Sequence, residues 1–149
     1  MYRNSEGYPA PVEGYVMAKL MREEKERRKA MRRRELYLRP LVYVVSPYAG
    51  DTERNVQQAK KYCRYVIEKK CNPIASHLYY TRFLNDDVPA ERQMGTMYGL
   101  ALLARCKEVW VFGEYISPGM QTEIEVATQL GKTIRYFTEK MEEKHEDDR

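Results

Sequence analysis

The chain has 149 residues, of which 43% are hydrophobic, so it can form one domain with a buried core and is not disordered as a whole. No apolar run approaches the roughly 20 residues that span a bilayer, and residues 1–9 lack the apolar centre of a signal peptide. We therefore expect a cytoplasmic protein with no membrane partner. The net charge of +4 is uneven, because residues 1–39 hold 11 Lys and Arg against 6 Asp and Glu, while residues 40–149 hold 15 against 16.

Strand and helix patterns alternate along most of the chain. Residues 1–14, with two prolines and two glycines, predict irregular structure. The elements predicted after them are a helix over 16–38, a strand over 41–46, a helix over 53–70, a short strand over 72–76, a loop or short helix over 79–87, a helix over 89–105, a strand over 108–113, a helix that Ser117 begins and Gly131 closes, and a strand over 133–137. This order predicts an α/β three-layer sandwich, in which helices cover both faces of a parallel sheet of four to five strands.

The charge distribution and the element boundaries predict three segments. They are an N-terminal extension with a basic helix over 1–39, the α/β domain over 40–138, and a charged, frayed tail over 139–149. The basic stretch 22–34 contains interleaved glutamates and no aromatic residue for base stacking. A solvated helix is therefore favoured over nucleic-acid binding.

The cysteines and glycines argue against a metal or cofactor site. Cys63, Cys71 and Cys106 are scattered without a CxxC pair, and the two histidines lie far apart in the sequence, so we expect reduced thiols and no zinc. Cys63 and Cys106 have apolar neighbours and are predicted core residues. Neither a GxGxxG nor a Walker pattern follows the first strand, so no dinucleotide or P-loop cofactor is predicted.

One glutamate interrupts the apolar face of the helix after the third predicted strand. Ser117 is a good N-cap for that helix, and Pro118 suits its first position. Glu123 falls in the middle of an apolar arc, whereas Glu125 faces the other way. The arc consists of Gly119, Met120, Ile124, Val126, Ala127, Leu130 and Gly131. Burying a lone carboxylate is costly unless it is paired, hydrogen-bonded or open to a cleft. Glu123 is therefore a catalytic carboxylate, the partner of a buried arginine, or the cap of a backbone group.

Three loops are expected to meet at the carboxyl ends of the strands, where ligands bind in such folds. They are the loops 46–51, 76–87 and 113–119. The candidate binding residues in and beside them are Ser46, Tyr48, Gly50, Asp51, His77, Ser117, Gly119 and Met120.

Several of these candidates have a structural interpretation that remains open. The first loop is either a binding loop with accessible backbone N–H groups or a tight turn in which Asp51 or Thr52 caps the next helix. His77 is either a ligand contact or a hydrogen-bonded loop residue. Arg92 either binds a phosphate or carboxylate, or pairs on the surface with Asp86 or Asp87.

The segment 117–123 resembles a motif of the nucleoside 2-deoxyribosyltransferase superfamily, whose catalytic glutamate follows a glycine by four residues. Gly119 and Glu123 match this spacing, and the loop from Ser46 to Gly50 looks like the family's sugar-phosphate loop. The resemblance spans residues 41–137 and looks most like an uncharacterised bacterial and phage branch. It implies a flavodoxin-like or Rossmann-like sandwich that assembles as a homo-oligomer, a dimer or larger.

The resemblance also implies an activity. It would be cleavage or transfer of the N-glycosidic bond of a nucleoside or nucleotide, with Glu123 as nucleophile. The chain departs from the family at the helical aspartate that assists the leaving base, because Tyr98, Gly99 and Leu100 stand there. Candidates to replace that aspartate are His77, Asp86 and Tyr98.

Two other functions remain open on the sequence. The first is a non-catalytic nucleotide-binding or sensing domain of the same fold, which the missing aspartate favours. The second is an interaction protein, in which the helix over 16–38 docks a partner or a neighbouring subunit.

Overall fold

The computed structural model describes residues 3, 5–7 and 11–145, which form two compact units, residues 1–39 and residues 40–149. The first unit contains helix α1, Pro11–Tyr37, with Glu13 in its first turn and Arg34 in its last, the signs that complement the helix dipole. The helix begins five residues before the predicted position 16, so the prediction of irregular structure is wrong for 11–14. Of the remaining predicted segment, residues 1–10, all but residues 3 and 5–7 lie outside the described residues. No described helix has the length and apolar character to cross a membrane.

The second unit has the predicted α/β architecture. Its strands are β1 Leu41–Val45, β2 Asn72–Ile74, β3 Glu108–Phe112 and β4 Thr133–Phe137. Its helices are α2 Thr52–Glu68, α3 Ser76–Tyr79, α4 Pro89–Arg105 and α5 Pro118–Gln129, with a 3-10 turn over Tyr80–Arg82. The order of elements therefore agrees with the sequence pattern.

The sheet is wholly parallel, in the order β2-β1-β3-β4, which confirms the predicted fold class. Successive strand residues point to opposite faces, and each face carries its own core cluster. On one face, Val42, Val44, Trp110, Phe112 and Phe137 pack with Tyr62 and Val66 of α2. On the other, Tyr43, Val45, Val109 and Val111 pack with Leu103, Met120, Ile124 and Ala127 of α4 and α5. The helices thus form two outer layers around the sheet.

The strand order reverses at β1, since the chain moves from β1 to β2 on one side and then to β3 on the other. Loops on the two sides of such a switch point diverge and leave a crevice at the carboxyl edge of the sheet. The segments after β1, β2 and β3 lie at this edge.

The boundary of β2 differs from the prediction, whereas the end of α5 agrees with it. β2 ends at Ile74, two residues before the predicted end, because Ser76 begins α3. Gly131 closes α5 as expected and has a φ of 68°, a conformation that glycine adopts without strain. Leu130, which was expected on the buried arc, is half exposed.

The charged tail is ordered over the part that the structure describes, so the prediction of fraying is wrong for residues 139–145. Glu143 forms an antiparallel bridge with Phe137, and both of its carboxylate oxygens accept from the Arg135 guanidinium, at 2.8 and 2.7 Å. The Arg135 guanidinium lies 4.7 Å from the centre of the Trp110 ring. Residues 146–149 lie outside the described residues.

Candidate functional site

A cavity of about 450 Å³ lies at the carboxyl edge of the sheet, where the strand order reverses. Its lining comes from β1 and the loop after it, from α3 and the 3-10 turn, from α4, and from the beginning of α5. The predicted site residues that line it are Ser46, Tyr48, His77, Arg92, Ser117, Gly119, Met120 and Glu123. The three predicted loops therefore do converge on one space.

Gly50, Asp51 and Tyr98 do not line the cavity. Asp51 is the N-cap of α2, and its carboxylate accepts from the backbone N–H of Arg54 at 3.3 Å, which is the structural alternative for this residue. Gly50, with a φ of 97°, forms the turn before that cap. Tyr98 is exposed on α4 and stacks on Tyr80 at 6.1 Å between ring centres.

Glu123 lies partly buried on the inner face of α5, six positions into the helix, and points into the cavity. Burial raises the pKa of its carboxyl to about 7, and a hydrogen bond from the Tyr43 side chain partly offsets that rise. The described ion pairs include none to Glu123, so its partner is a tyrosine hydroxyl and not the buried arginine considered above. Glu125 is exposed as expected and accepts from the Gln121 amide.

Tyr43 connects Glu123 to a second hydroxyl. The oxygen atoms of Tyr43 and Ser76 lie 2.6 Å apart. An ionised carboxylate can only accept, so the Tyr43 hydroxyl donates to Glu123 and accepts from Ser76 Oγ. Burial, reinforced by the Glu123 charge, raises the pKa of Tyr43 far above its usual range, so this hydroxyl keeps its proton.

Gly99 on α4 makes room for this pair of hydroxyls. A Cβ at position 99 would stand 2.8 Å from Ser76 Oγ, 3.2 Å from Ser76 Cβ and 3.4 Å from the Tyr43 hydroxyl. The glycine thus permits the close approach of α4 to β1 and α3. Gly99 is one of the three positions, 98 to 100, at which this sequence has no acid, and the Ser76 hydroxyl occupies the adjoining space.

His77 forms the wall next to the loop after β1. Its Nε2 lies 3.4 Å from Ser46 Oγ, and its ring lies 5.8 Å from the ring of Tyr48. Burial lowers the pKa of His77 to about 4, so the imidazole is neutral at neutral pH. His77 is therefore a polar, uncharged wall of the cavity.

The beginning of α5 forms the floor. Ser117 Oγ accepts from the backbone N–H of Met120 at 3.2 Å, as an N-cap does. Gly119 has open space where a Cβ would stand, with no atom within 4 Å. The first turn of α5 thus presents backbone and a helix N-terminus, which favours negative charge, towards the cavity.

The charged lining is mixed in sign. Arg92 is exposed, and none of the described ion pairs includes it, which leaves the predicted pairs with Asp86 and Asp87 unformed. Asp86 and Glu91 line the same cavity, and the Glu91 carboxylate accepts from the backbone N–H of Asn85 at 3.4 Å. A bound molecule would therefore meet a guanidinium and two carboxylates near the opening.

Several lining residues are absent from the predicted site, among them Tyr43, Ser76 and Tyr80. Tyr43 was read as one of several strand residues, Ser76 as the end of a strand, and Tyr80 as part of an aromatic loop. A hydroxyl in the middle of an otherwise aliphatic strand was the available signal for Tyr43. Ser76 and Tyr80 gave no comparable signal, because their approach to Glu123 and to the cavity depends on the position of α3.

The α/β unit matches a known sequence family and known structures. The profile of the family described as Domain of unknown function (DUF7768) matches residues 40–137. No curated protein matches the chain in sequence. The solved 2-deoxyribosyltransferase of Bacillus psychrosaccharolyticus superposes with a TM-score of 0.56 at 13% identity, over 66% of this chain and 72% of that one. The Leishmania mexicana 2-deoxyribosyltransferase gives a TM-score of 0.48 at 12% identity, over 66% and 64%.

At 13% identity the likeness to the Bacillus enzyme shows a shared fold and nothing finer. The distant deoxyribosyltransferase-like fold expected from the sequence is thereby confirmed, while the bacterial and phage branch stays a prediction. The family profile includes all four strands of the parallel sheet. Because it covers about two-thirds of the sequence, the chain belongs to the family Domain of unknown function (DUF7768).

Proposed function

We propose that the α/β unit cleaves or transfers the N-glycosidic bond of a nucleoside or nucleotide, with Glu123 as the nucleophile. The observation that carries this proposal is a partly buried carboxylate that points into a 450 Å³ cavity and accepts a hydrogen bond from Tyr43. The cavity lies at the switch point of a parallel sheet, the usual ligand site of such folds. The fold shared with a 2-deoxyribosyltransferase supports the reaction class.

In the proposed reaction a Glu123 oxygen attacks the anomeric carbon of the sugar, and the bond from that carbon to the base breaks. The sugar is then held as a glycosyl ester on Glu123 until water or a second base displaces it. Tyr43 fixes the carboxylate, and Ser76 fixes Tyr43 in turn. Gly119 leaves space for the sugar above the floor of the cavity. Arg92 is suited to a phosphate on the substrate.

The test compares two variants of the same helix. Glu123→Gln keeps the shape of the side chain but removes the nucleophile, and Glu125→Gln makes the same change on the exposed face of α5. Release of free base from a panel of deoxynucleosides, deoxynucleoside monophosphates and pyridine nucleotides is followed by liquid chromatography. We expect a loss of about 1,000-fold or more in Glu123→Gln and wild-type rates in Glu125→Gln. Equal loss in both variants, or in neither, would remove Glu123 from the mechanism.

A non-catalytic nucleotide-binding domain is the second candidate. It is favoured by the space next to Gly99, where the Ser76 hydroxyl lies and where the resembling family has an acid. A nucleotide that raises the melting temperature and is recovered intact after long incubation would support it. Release of base that depends on Glu123 would exclude it.

A further inference from the structure

Four hydroxyls that line the cavity with Glu123 are already engaged with protein acceptors. The Tyr43 proton goes to Glu123 and the Ser76 proton to Tyr43. Thr81 donates to the backbone carbonyl of His77 at 2.6 Å, and Thr96 donates to that of Arg92 at 3.0 Å. These hydroxyls hold the site in shape and are not free to protonate a departing base.

The remaining nitrogen groups are poor acids as well. His77 is neutral at neutral pH because burial lowers its pKa to about 4, and a neutral imidazole gives up a proton only with great difficulty. Arg92 does not deprotonate in proteins. A neutral purine or pyrimidine usually leaves its sugar with the help of a proton. Asp86 is exposed and Glu91 is partly exposed, so both stand as anions, and the lining hydroxyls of Ser46, Tyr48, Tyr80 and Ser117 are much weaker acids than a carboxylic acid. The described lining therefore offers no strong, buried acid for that proton while Glu123 acts as an anion.

The charge and shape of the cavity suit a base that needs no such proton. Asp86 and Glu91 add two carboxylates to that of Glu123. Among the described residues that line the cavity, Arg92 is the one cation. Tyr48 and Tyr80 add aromatic side chains to the lining of the cavity. Carboxylates together with aromatic faces favour a flat cation.

We propose that the substrate is a nucleotide whose base is a cation attached through its ring nitrogen, of the N-ribosylpyridinium or N7-alkylated purine class. The proposal rests on the proposed glycosidic activity and names the substrate class of the same site. Asp86, Glu91 and the two tyrosine rings face the cationic base, and Arg92 takes the phosphate.

The chemical step balances without an acid. A Glu123 oxygen forms a bond to the anomeric carbon, the bond to the base nitrogen breaks, and its electron pair neutralises the cationic ring. The base leaves as a neutral molecule. Water then attacks the anomeric carbon, the Glu123 carboxylate is regenerated, and one proton passes to solvent.

A matched pair of substrates tests this inference. Guanosine 5′-monophosphate and its 7-methyl derivative share sugar, phosphate and ring system and differ in the fixed positive charge of the base. Nicotinamide mononucleotide serves as the pyridinium probe. We expect kcat/KM for the two cationic nucleotides to exceed that for the neutral one by at least about 100-fold, which is the contribution of an acid that the neutral base would lack. Reactions without enzyme and with Glu123→Gln correct for spontaneous hydrolysis.

The outcomes separate the two proposals. Cleavage of the neutral nucleotide, or of neutral deoxynucleosides, within about tenfold of the cationic ones would overturn the cationic class and leave glycosidic cleavage standing. Absence of cleavage of all of them would overturn both. Cleavage of the cations alone, lost in Glu123→Gln, supports both.

A pair of adjacent aspartates tests the charge contribution. Asp86 lines the cavity, and its neighbour Asp87 does not. Asp86→Asn should lower kcat/KM for 7-methylguanosine 5′-monophosphate by about fivefold, since an exposed charge contributes modestly, and Asp87→Asn should leave it unchanged. Equal effects of the two substitutions would show that Asp86 does not face the base.

Discussion

Burial and a hydrogen bond act in opposite directions on the pKa of Glu123. Burial raises its pKa to about 7, and the hydrogen bond from Tyr43 favours the charged form. A carboxyl with a pKa near 7 is ionised in only part of the molecules at neutral pH. The same environment that holds the proposed nucleophile in place therefore costs stability whenever Glu123 carries its charge.

This cost predicts a pH-dependent difference between wild type and Glu123→Gln. The folded pKa of about 7 lies above the ordinary value of 4.5, so the folded state holds a proton that the unfolded chain has lost, and wild-type stability falls as pH rises through that window. Glu123→Gln removes this dependence. Between about pH 4.5 and pH 8, the free energy of unfolding of Glu123→Gln should rise relative to that of wild type by up to about 3 kcal/mol. Solvent screening of the partly buried carboxylate reduces this figure.

Urea unfolding followed by circular dichroism at the two pH values measures the difference. His77 contributes the opposite slope in both proteins, because its pKa is lowered, and so cancels in the comparison. Glu125→Gln, on the exposed face, should differ from wild type by the same amount at both pH values. A constant difference for Glu123→Gln would mean that Glu123 keeps an ordinary pKa.

Helix α4 approaches the sheet closely at one of its glycines. Gly95 and Gly99 lie one turn apart on the same helix, but a Cβ at 95 would meet Leu84 at 3.6 Å, an ordinary contact, whereas a Cβ at 99 would meet Ser76 Oγ at 2.8 Å. Alanine substitutions at the two positions therefore distinguish the effect of helix propensity from the effect of a steric clash with Ser76.

Gly95→Ala and Gly99→Ala should have opposite effects on stability. Alanine at 95 should leave stability unchanged or raise it by about 0.5–1 kcal/mol, as alanine does within a helix. Alanine at 99 should lower it by about 1–3 kcal/mol and displace Ser76 from Tyr43. Thermal and urea unfolding check both variants. Equal stability of the two would show that Ser76 can rotate away without cost.

The chain divides after residue 39 into the unit of α1 and the α/β unit. The family profile begins at residue 40 as well. We propose that residues 40–149 are an independent domain and that α1 serves association with a partner or a second copy.

Removal of residues 1–39 tests this division. The remaining chain should unfold cooperatively with a midpoint within a few degrees of the full chain, because the sheet and its two core clusters lie wholly within residues 40–149. Light scattering should show a smaller oligomer for the truncated chain than for the full chain. An unchanged oligomeric mass would leave α1 without a role in self-association. Failure to fold would make α1 part of the domain.

The sequence alone determined the order of elements, because the period of the apolar residues is a local property. Local sequence was enough to predict both the buried strand Leu41–Val45 and the apolar arc around Glu123. The cap at Ser117 and the close of α5 at Gly131 are equally local and were also found. Glu123 stood out because a carboxylate conflicts with the face on which it lies.

Which side chains meet depends on contacts between elements that lie far apart in the sequence. Ser76 is 33 residues from Tyr43, and their hydrogen bond depends on how α3 packs beside β1. Asp51 lies in the expected loop but caps its own helix, and Arg92 forms none of the described ion pairs although Asp86 lines the same cavity. The tail was expected to fray, yet it pairs with Phe137 of β4 across a turn that no periodicity reveals. The local pattern of apolar residues determines which helices and strands form. The site depends on the distances between those elements, and the local pattern does not contain them.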